Sequence, residues 1–493
     1  MLKGHLFLLH ADLVDVPYDV LVLPTDHTFT VGEQWKPFSP NPKRPARFDE
    51  QHFGRAGDSK LWWVDVTRGG VPDRPALIAN ATACLADIAE TLATPLLRVA
   101  LPVLGTGEGG QDEESGALQL DLLEALRKAA EHHQLDVLLA TKDERRFQAL
   151  QDARLPDPAR WFPGIPDTGR GDEPTLALAQ RLGTRARRGE LSVFLGAGVS
   201  VGAGLPDWAG LVSAIVRASA LPDTLTVEQF SRLSLLDQAE LLQRRDPKFA
   251  QAVVDQVKHA AKPGLAHLLL ASLRAQQSAT TNYDDLYERA VRSADPARRL
   301  AVLPYQRRTD GRPWLLKLHG DIDHPEDIVL SRSQFAAYDA RHRPAGALFQ
   351  AMLLTSHLLV VGASLTDDNV LRLVHEVRDY LVSTAGNDDF GDHFGTVLTL
   401  HPEPARCALW SGELDWVSLE RPDDESPRVL EILLDAVAMH AYSASTSVLD
   451  ERFDTQLASD RERDLARRLR SIAGEVEKQT GHAWQGLKTT LGL

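Results

Sequence analysis

The sequence predicts an α/β protein with two principal domains followed by a helical segment. A chain of 493 residues is longer than one hydrophobic core usually serves. Its first 150 residues alternate strand-like apolar runs with an amphipathic helix, which is the pattern of a layered α/β domain. Farther along, four apolar runs each end in a glycine-rich or polar turn, as strands that lead into a nucleotide site do.

Composition argues against several classes of function. The formal net charge of −15 disfavours nucleic acid as a direct ligand, because phosphate binding needs a basic face. We interpret the basic stretch at residues 181–188 as a solvated helix face. No apolar run is long enough to cross a bilayer and the N-terminus lacks a signal-peptide layout, so we predict a cytoplasmic protein without a membrane partner. Two cysteines, Cys84 and Cys407, exclude a four-cysteine zinc site, and no metal is expected.

The first 155 residues predict a three-layer α/β domain. A helix is expected at residues 118–130, because Leu122, Leu126 and Ala130 recur on one face. Strands are expected at the apolar runs HLFLLHADL (5–13), DVLVLPTD (19–26), KLWWVDVT (60–67), ALIANAT (76–82), RVALPVLGTG (98–107) and LDVLLAT (135–141).

Proline, aspartate and glycine dominate the next stretch, so residues 156–175 are predicted to be a linker. A second α/β domain is expected at 176–422, with a helical small lobe at about 224–273 over its cleft. Helical patterns return at 423–493, and the sequence does not decide whether this segment is an appendage or an assembly element.

The most informative stretch is residues 191–208, LSVFLGAGVSVGAGLPDW. An apolar strand ends there in a Gly-Ala-Gly turn. Glycines let backbone N–H groups approach a pyrophosphate without obstruction by a Cβ atom, and a following helix would direct its positive end at that charge. Three later segments strengthen this signal: 280–285 (TTNYDD), 317–321 (KLHGD) and 360–369 (VVGASLTDDN).

Together and in this order, the four segments resemble the sirtuin fold, and in particular the sirtuin-like NADase branch of bacterial antiphage proteins. The resemblance covers about residues 176–419. It implies a Rossmann-like parallel-sheet domain that takes NAD+ as its substrate. The four-cysteine zinc ribbon that protein-deacylating sirtuins usually carry is missing, which favours an NAD+ hydrolase over a deacylase.

The resemblance implies two catalytic residues. Asn282 would orient the ribose hydroxyls or a water, and its alternative is a turn residue at a strand end. His319 would act as general base, and its alternative is a packing histidine.

The same resemblance implies a set of NAD+-binding residues. Asp284 would contact the nicotinamide carboxamide. Its alternative is to cap the following helix, a role that Asp285 could also fill. Asp207 falls in the position of the sirtuin Asp-Phe-Arg motif, whose arginine is replaced by Ala209. The pyrophosphate and ribose cradle and the loop near the adenosine half would be formed by Gly196, Ala197, Gly198 and Ser200, and by Gly362 and Ser364.

Two segments of the first domain resemble a macro domain, the ADP-ribose-binding fold. One is HADLVDVPYDVLVLPTD, where Thr25 and Asp26 replace the family's Ala-Asn pair, and the other is ALPVLGTGEGG. The resemblance implies an ADP-ribose-like ligand, but the stretch after Asp26 lacks the family's glycine-rich loop. A packing or oligomerisation domain is the alternative.

The function that these resemblances imply is an NAD+ glycohydrolase, which yields nicotinamide and ADP-ribose or cyclic ADP-ribose. It would be an effector of antiphage abortive infection, gated by a ligand or by assembly. The implied partners are further copies of the chain, a HerA-type ATPase or a signal-producing enzyme. The alternatives are an NAD-dependent protein deacylase or ADP-ribosyltransferase, and a non-enzymatic sensor of NAD+ or ADP-ribose.

Overall fold

The structure, a computed structural model, describes most of the chain. The described residues are 3–68, 71–105, 115–163, 165, 174–218, 226–308, 311–385, 394–421, 425–442, 446–457, 459–481, 484, 487 and 488. They divide into two compact units, the first formed by Met1–Ile165 with Asp435–Leu493 and the second by Pro166–Leu434.

The first unit is built on a six-stranded sheet in the order β1-β8-β7-β2-β4-β3. All of its neighbouring strands are parallel except β3, which runs antiparallel to β4. A separate two-stranded ribbon is formed by β5 and β6. The strands are β1 (Leu6–His10), β2 (Val20–Thr25), β3 (Phe53–Arg55), β4 (Leu61–Asp65), β5 (Thr67–Arg68), β6 (Val71–Pro72), β7 (Arg98–Pro102) and β8 (Asp136–Thr141).

Helices of this unit are α1 (Phe48–Gln51), α2 (Arg74–Leu92), α3 (Ser115–His133), α4 (Glu144–Asp152) and α5 (Pro158–Trp161). The helix predicted at 118–130 is confirmed within α3, but the strand predicted at 76–82 is wrong, because those residues lie in α2. The side chain of Asp73 caps α2 by accepting from the N–H of Ala76. Apolar Leu77, Ala81 and Cys84 then recur at helical spacing and are buried.

The second unit contains a seven-stranded, fully parallel sheet in the order β11-β12-β10-β9-β13-β14-β15. Its first strand, β9, has β10 on one side and β13 on the other, so the direction of winding reverses at β9. The strands are β9 (Leu191–Leu195), β10 (Gln277–Thr280), β11 (Ala301–Leu303), β12 (Trp314–Lys317), β13 (His357–Val361), β14 (Gly395–Thr399) and β15 (Leu414–Ser418).

Strand register aligns the ends of four of these strands. Leu195 of β9 pairs with Thr280 of β10 and with Val361 of β13, and Thr280 pairs with Lys317 of β12. The turns that follow all four strands therefore emerge side by side at one edge of the sheet, which is where open α/β sheets bind their ligands.

Helices of the second unit cover the sheet and form a lobe beside this edge. They are α6 (Thr175–Arg187), α7 (Ala197–Val201), α8 (Trp208–Ala218), α9 (Val227–Ser231), α10 (Leu235–Arg245), α11 (Phe249–Val257), α12 (Leu265–Ser272), α13 (Leu286–Ala294), α14 (Arg332–Ala336), α15 (Tyr338–Thr355), α16 (Asp368–Ala385) and α17 (Pro404–Leu409).

The predicted helical stretch at 224–273 is confirmed for its described residues, 226–273, which hold α9 to α12. With α8, three of these helices bury a core of their own that includes Ile215, Phe230, Leu242 and Val253. This core continues onto Tyr283, next to the turn after β10.

The C-terminal elements are α18 (Ser426–Ala441) and α19 (Asp460–Glu477), with 3-10 turns at Thr446–Leu449 and Glu451–Gln456. Further 3-10 turns lie at Leu13–Asp15, Glu33–Trp35 and Pro325–Asp327. Within the first unit, the fully buried Asp435 of α18 accepts hydrogen bonds from both terminal nitrogens of Arg154, at 3.0 and 2.8 Å, and lies 2.9 Å from His5. These contacts explain why residues that the sequence separates as a C-terminal segment are grouped with the first unit.

The predicted linker is partly described. Its residues 164 and 166–173 lie outside the described part of the chain, whereas Trp161 and Phe162 are buried in the first unit. None of the described helices has the length and apolar character that spanning a bilayer requires.

Candidate functional site

A cavity of about 400 Å³ lies at the sheet edge where the ends of β9, β10, β12 and β13 are aligned. Its size falls within the range of small-molecule and cofactor sites. The lining includes all ten residues predicted as site residues: Gly196, Ala197, Gly198, Ser200, Asp207, Asn282, Asp284, His319, Gly362 and Ser364. The aligned strand ends explain why these residues meet. Nine of them lie in the segments that follow the four strands, and Asp207 follows α7.

Glycines let the loops after β9 and β13 pack backbone against backbone. The N–H groups of Gly196 and Gly198 donate to the carbonyls of Val361 and Gly362, each at 2.9 Å. A Cβ on Gly362 would lie 2.4 Å from the backbone nitrogen of Val199, and its φ of +68° also favours glycine. Because these two N–H groups have protein acceptors, the glycines bring the two loops together, and their place in the pyrophosphate cradle stays a prediction.

Asn282 holds a fixed amide at the end of β10. Its Nδ2 donates to the carbonyl of Gly196 and to Oγ of Ser200, both at 3.1 Å, and its backbone N–H donates to Thr280. The carbonyl oxygen Oδ1 is buried and has no hydrogen-bond partner among the described residues. A buried acceptor without a partner is costly, so the amide is set to accept a hydrogen bond from a ligand in the cavity.

Ser200 is the centre of a buried network that orients this amide. Its hydroxyl donates to Oδ2 of Asp284 at 2.8 Å, accepts from Nδ2 of Asn282, and lies 3.4 Å from Nε2 of His267. The serine is only 2% exposed, and its hydroxyl is already used by protein groups. The serine therefore positions the amide of Asn282, and its predicted contact with the ligand stays a prediction.

His267 is a member of this network that sequence reasoning missed. Burial lowers its pKa to about 4, so the ring is neutral at neutral pH. Its Nδ1 accepts from the N–H of Gly264 at 3.2 Å, which places the proton on Nε2, facing Ser200. A histidine inside the otherwise apolar helix LAHLLLAS was the available signal.

Asp284 uses both carboxylate oxygens within the protein. One accepts from the hydroxyl of Ser200, and the other accepts from the N–H of Leu286 at the start of α13, at 3.1 Å. Asp285, the competing candidate, makes no side-chain cap. The geometry thus favours the capping alternative for Asp284, which also anchors Ser200.

His319 follows β12 and is 5% exposed in the cavity wall. Its Nε2 lies 3.1 Å from Oδ2 of Asp367, and within the described part of the chain Nε2 makes no contact that meets the geometry of a hydrogen bond. The contact is therefore chiefly electrostatic. The ring edge packs against Phe335 and Tyr338, which fixes its plane.

Asp367 is a second residue to which the sequence reasoning gave no role, although it lies in the segment 360–369. Its Oδ1 accepts from the N–H groups of Asn369 and Val370 at the start of α16, at 2.9 and 3.0 Å. Burial would raise the pKa of Asp367, but His319 and these N–H groups outweigh it and lower the pKa. An anionic carboxylate is thus held beside the imidazole.

Lys317 is a buried ammonium beneath the turn that carries Asn282. Its Nζ donates to the backbone carbonyls of Tyr283 and Asp284, at 3.2 and 2.6 Å, and pairs with Glu288 at 2.9 Å and Asp321 at 2.6 Å. Burial alone would lower the pKa of Lys317, but the two carboxylates raise it, while burial raises the pKa of Glu288 to about 7. The lysine therefore ties β12, which carries His319, to the Asn282 turn.

The remaining predicted residues line the cavity more loosely. Asp207 accepts from the N–H of Gly210 at 2.7 Å and so caps α8. Trp208 stacks on Phe335 with ring centroids 5.8 Å apart. Ser364 is exposed and its hydroxyl lies 2.7 Å from that of Thr366, so both hydroxyls border the open side of the cavity.

Part of the chain is similar to known proteins. Residues 277–387 match the SIR2-like domain family. A protein named NAD(+) hydrolase ThsA from Acinetobacter baumannii is 25% identical over 208 residues, which are 41% of this chain and 42% of the relative. Proteins of the same name from Enterococcus faecium and Bacillus cereus are each 27% identical, over 213 and 199 residues, or 41% and 38% of this chain and 42% and 40% of those relatives.

The chain thus carries a SIR2-like, that is sirtuin-like, domain on a Rossmann-like parallel sheet, as the sequence predicted. It spans about two fifths of the length of the curated relatives that it matches. The matched 277–387 segment contains Asn282, Asp284, His319, Gly362, Ser364 and the unpredicted Lys317 and Asp367.

Proposed function

We propose that this protein hydrolyses NAD+ to nicotinamide and ADP-ribose, or closes the product to cyclic ADP-ribose, in the cavity of its second unit. The observation that carries the proposal is the clamped amide of Asn282. Its unpartnered carbonyl oxygen belongs to the same cavity as the imidazole of His319. The names of the three relatives, each an NAD(+) hydrolase, support the proposal.

The chemistry of NAD+ cleavage explains what such a site must supply. Nicotinamide is cationic in the substrate and leaves as a neutral molecule, so positive charge moves onto the ribose and no acid is needed for the leaving group. The transition state then resembles the oxocarbenium ion of glycoside hydrolysis. The site has to hold the ribose, exclude bulk water and deliver one nucleophile.

In the proposed mechanism, Oδ1 of Asn282 accepts a hydrogen bond from a ribose hydroxyl or from the attacking water. An amide keeps the same charge across the neutral pH range, so this contact does not change with pH. For hydrolysis the nucleophile is a water: its oxygen bonds to C1′ as the bond from C1′ to the nicotinamide nitrogen breaks, and His319 takes the proton that the water loses. For cyclisation a ring nitrogen of the adenine bonds to C1′ in place of the water, and this step needs no general base. Asp367 lies beside the imidazolium that forms and stabilises it.

The network around Ser200 has a positioning role in this scheme. Nδ2 of Asn282 is held at two acceptors, and one of them, Ser200, is fixed by Asp284 and His267. The amide therefore cannot flip without breaking two hydrogen bonds. Pre-organisation of this kind lowers the reorganisation that the reaction requires.

The wider role that we propose is that of a cytoplasmic antiphage effector, silent until a ligand or assembly activates it. Residues 1–155 are proposed to form a macro-like regulatory domain that takes an ADP-ribose-like ligand. In the second resembling segment, Gly105 has a φ of +73°, whereas residues 106–110 lie outside the described part of the chain. Further copies of the chain, a HerA-type ATPase or a signal-producing enzyme remain the proposed partners.

Incubation of the purified full-length chain with NAD+, followed by chromatographic product analysis, tests the proposed reaction. Release of nicotinamide with ADP-ribose or its cyclic form, without any protein acceptor, is the expected result. Extract from phage-infected cells is added in a second arm, so that an enzyme silent at rest is also detected. NAD+ that stays intact in both arms, or is consumed only with an acyl-lysine peptide, would contradict the proposal.

Asp367→Asn is expected to lower kcat about 10- to 100-fold, because general-base catalysis as a whole contributes about 10²–10⁴. An amide keeps the shape and can still accept from the two N–H groups of α16, but it no longer stabilises an imidazolium. KM for NAD+ should change less than about threefold, since the interaction matters only after proton transfer. The control is Asp368→Asn, the adjacent carboxylate, and an equal loss in both variants would refute the assigned role.

A further inference from the structure

One helix of the first unit presents an apolar stripe to solvent. Leu465, Leu469 and Ile472 of α19 are 56%, 42% and 56% exposed. Their spacings of four and three residues place them on one face of the helix. Ala466 and Ala473 on the adjacent face are buried, and so is Val476, one turn beyond Ile472 in the row of the stripe. The helix is therefore anchored, and the exposed stripe ends at Ile472.

This stripe differs from most other exposed apolar side chains of the described residues, although Trp484 and Leu487, each 41% exposed, also lie three residues apart. Val14, Val201, Leu354 and Leu409 each stand alone on their elements, as is normal for a protein surface. Three large aliphatic side chains along one helix face are the pattern of a helix–helix contact, not of isolated exposed residues.

Charges beside the stripe specify what could cover it. Arg468 and Glu475 are separated by two helical turns and are both exposed on the same side of the stripe. The arginine lies beside the middle of the stripe, and the glutamate lies just beyond its C-terminal end. In an antiparallel pair of identical helices, Arg468 of each copy faces Glu475 of the other, because the two-fold axis inverts their order. A parallel pair would instead set arginine against arginine and glutamate against glutamate.

We propose that α19 is a self-association surface, on which the same helix of a second copy packs antiparallel. In this register Leu469 of each copy packs against Ile472 of the other, which is the pairing of seam positions expected for antiparallel helices. Arg468 and Glu475 form two symmetry-related ion pairs along its rim. Among the described residues Arg468 pairs with the partly exposed Asp464 of its own helix, at 2.6 Å, and the second copy offers it another carboxylate.

The size of the surface sets how tight the association is. Three half-exposed side chains per copy are fewer than a standard permanent interface contains. We therefore expect a weak dimer that dissociates on dilution. Such a contact would respond to the concentration of the protein. This inference does not depend on the proposed reaction, since no residue of the cavity takes part.

Sedimentation velocity of the full-length chain over a range of concentrations tests the surface. Leu469→Glu is expected to weaken dimerisation, because it places a charge in the seam of both copies. Leu409→Glu changes a leucine on α17 that is 62% exposed, more than the 42% of Leu469, and as the control it should leave the dissociation constant unchanged. Circular dichroism melting of each variant shows that the fold is retained.

A charge exchange then tests the antiparallel register. Arg468→Glu or Glu475→Arg alone sets like charges opposite each other and should weaken the dimer about tenfold. The double variant restores opposite charges and should return to within about threefold of the original dissociation constant. A chain that stays monomeric throughout, a dimer unaffected by Leu469→Glu, or a double variant as weak as the single ones would each overturn the proposal.

Discussion

Asn282→Ala is expected to lower kcat for NAD+ hydrolysis by at least about 100-fold, since loss of one pre-organised hydrogen-bonding group at a reacting centre costs about 10²–10³. Asn282 lies at the end of β10, and its Oδ1 is buried, held in place and without a hydrogen-bond partner among the described residues. The alanine removes this acceptor. Binding of NAD+ should weaken much less, because in the proposed site most of the dinucleotide would contact other residues of the cavity. Steady-state kinetics and calorimetric titration of NAD+ measure the two quantities.

Two companion variants make this result specific to the carbonyl oxygen. Asn282→Asp keeps an acceptor at Oδ1 but cannot donate to the carbonyl of Gly196, so its orientation is lost and kcat should also fall. Asn80→Ala removes a comparable half-buried amide, one that donates to the carbonyl of Asp65 in the first unit, and should leave kcat within about threefold. An Asn282→Ala enzyme that retains more than a tenth of the original kcat would refute the assigned role.

The location of the site was predictable from the sequence for a simple geometric reason. Strands that end in Gly-Ala-Gly, Thr-x-Asn, His-Gly and Gly-x-Ser need only be parallel neighbours for their turns to meet, and the register aligns Leu195, Thr280, Lys317 and Val361. The strand order also brings these turns together, because β9 lies between β10 and β13.

Individual roles were harder to predict because they depend on which partner a polar atom finds after folding. Asp284 and Ser200 were expected to contact the ligand, but each satisfies the other and an element of the protein. His267 and Asp367 come from a helix interior and a helix start, and nothing in a one-dimensional pattern places them beside Ser200 and His319. Secondary structure failed for a related reason at 76–82, where β-branched and apolar residues occur in a helix capped by Asp73.

Lys317→Met is expected to destabilise the second unit by about 3–5 kcal/mol, the usual cost of removing one partner from a buried ion pair. Methionine fills a similar volume, but Glu288 and Asp321 lose their buried counter-charge, and the carbonyls of Tyr283 and Asp284 lose a donor. Because the same carbonyls belong to the turn that carries Asn282, the folded variant should also turn over NAD+ more slowly. Chemical denaturation followed by tryptophan fluorescence measures the stability change.

The size of this effect should depend on pH in a direction that the buried glutamate determines. The pKa of Glu288 is raised to about 7 in the folded chain, above its ordinary value of 4.5, so the folded state binds more protons than the unfolded state between these values. Charge on Glu288 therefore opposes folding, and this penalty is relieved as the pH falls below 7. Without Lys317, ionised Glu288 lacks its counter-charge, so protonation of Glu288 relieves a larger penalty. We therefore expect Lys317→Met to lower the free energy of unfolding less at pH 5.5 than at pH 8.

Removing the carboxylates along with the lysine separates charge from packing. In the triple variant Lys317→Met, Glu288→Gln, Asp321→Asn, no uncompensated charge remains, and most of the lost stability should return. Its activity should stay low, because methionine still cannot hold the carbonyls of the Asn282 turn. Recovery of stability without recovery of kcat would assign Lys317 two separable effects, one on folding through the carboxylates and one on catalysis through the backbone. If both recovered together, the lysine would act on the reaction only by keeping the unit folded.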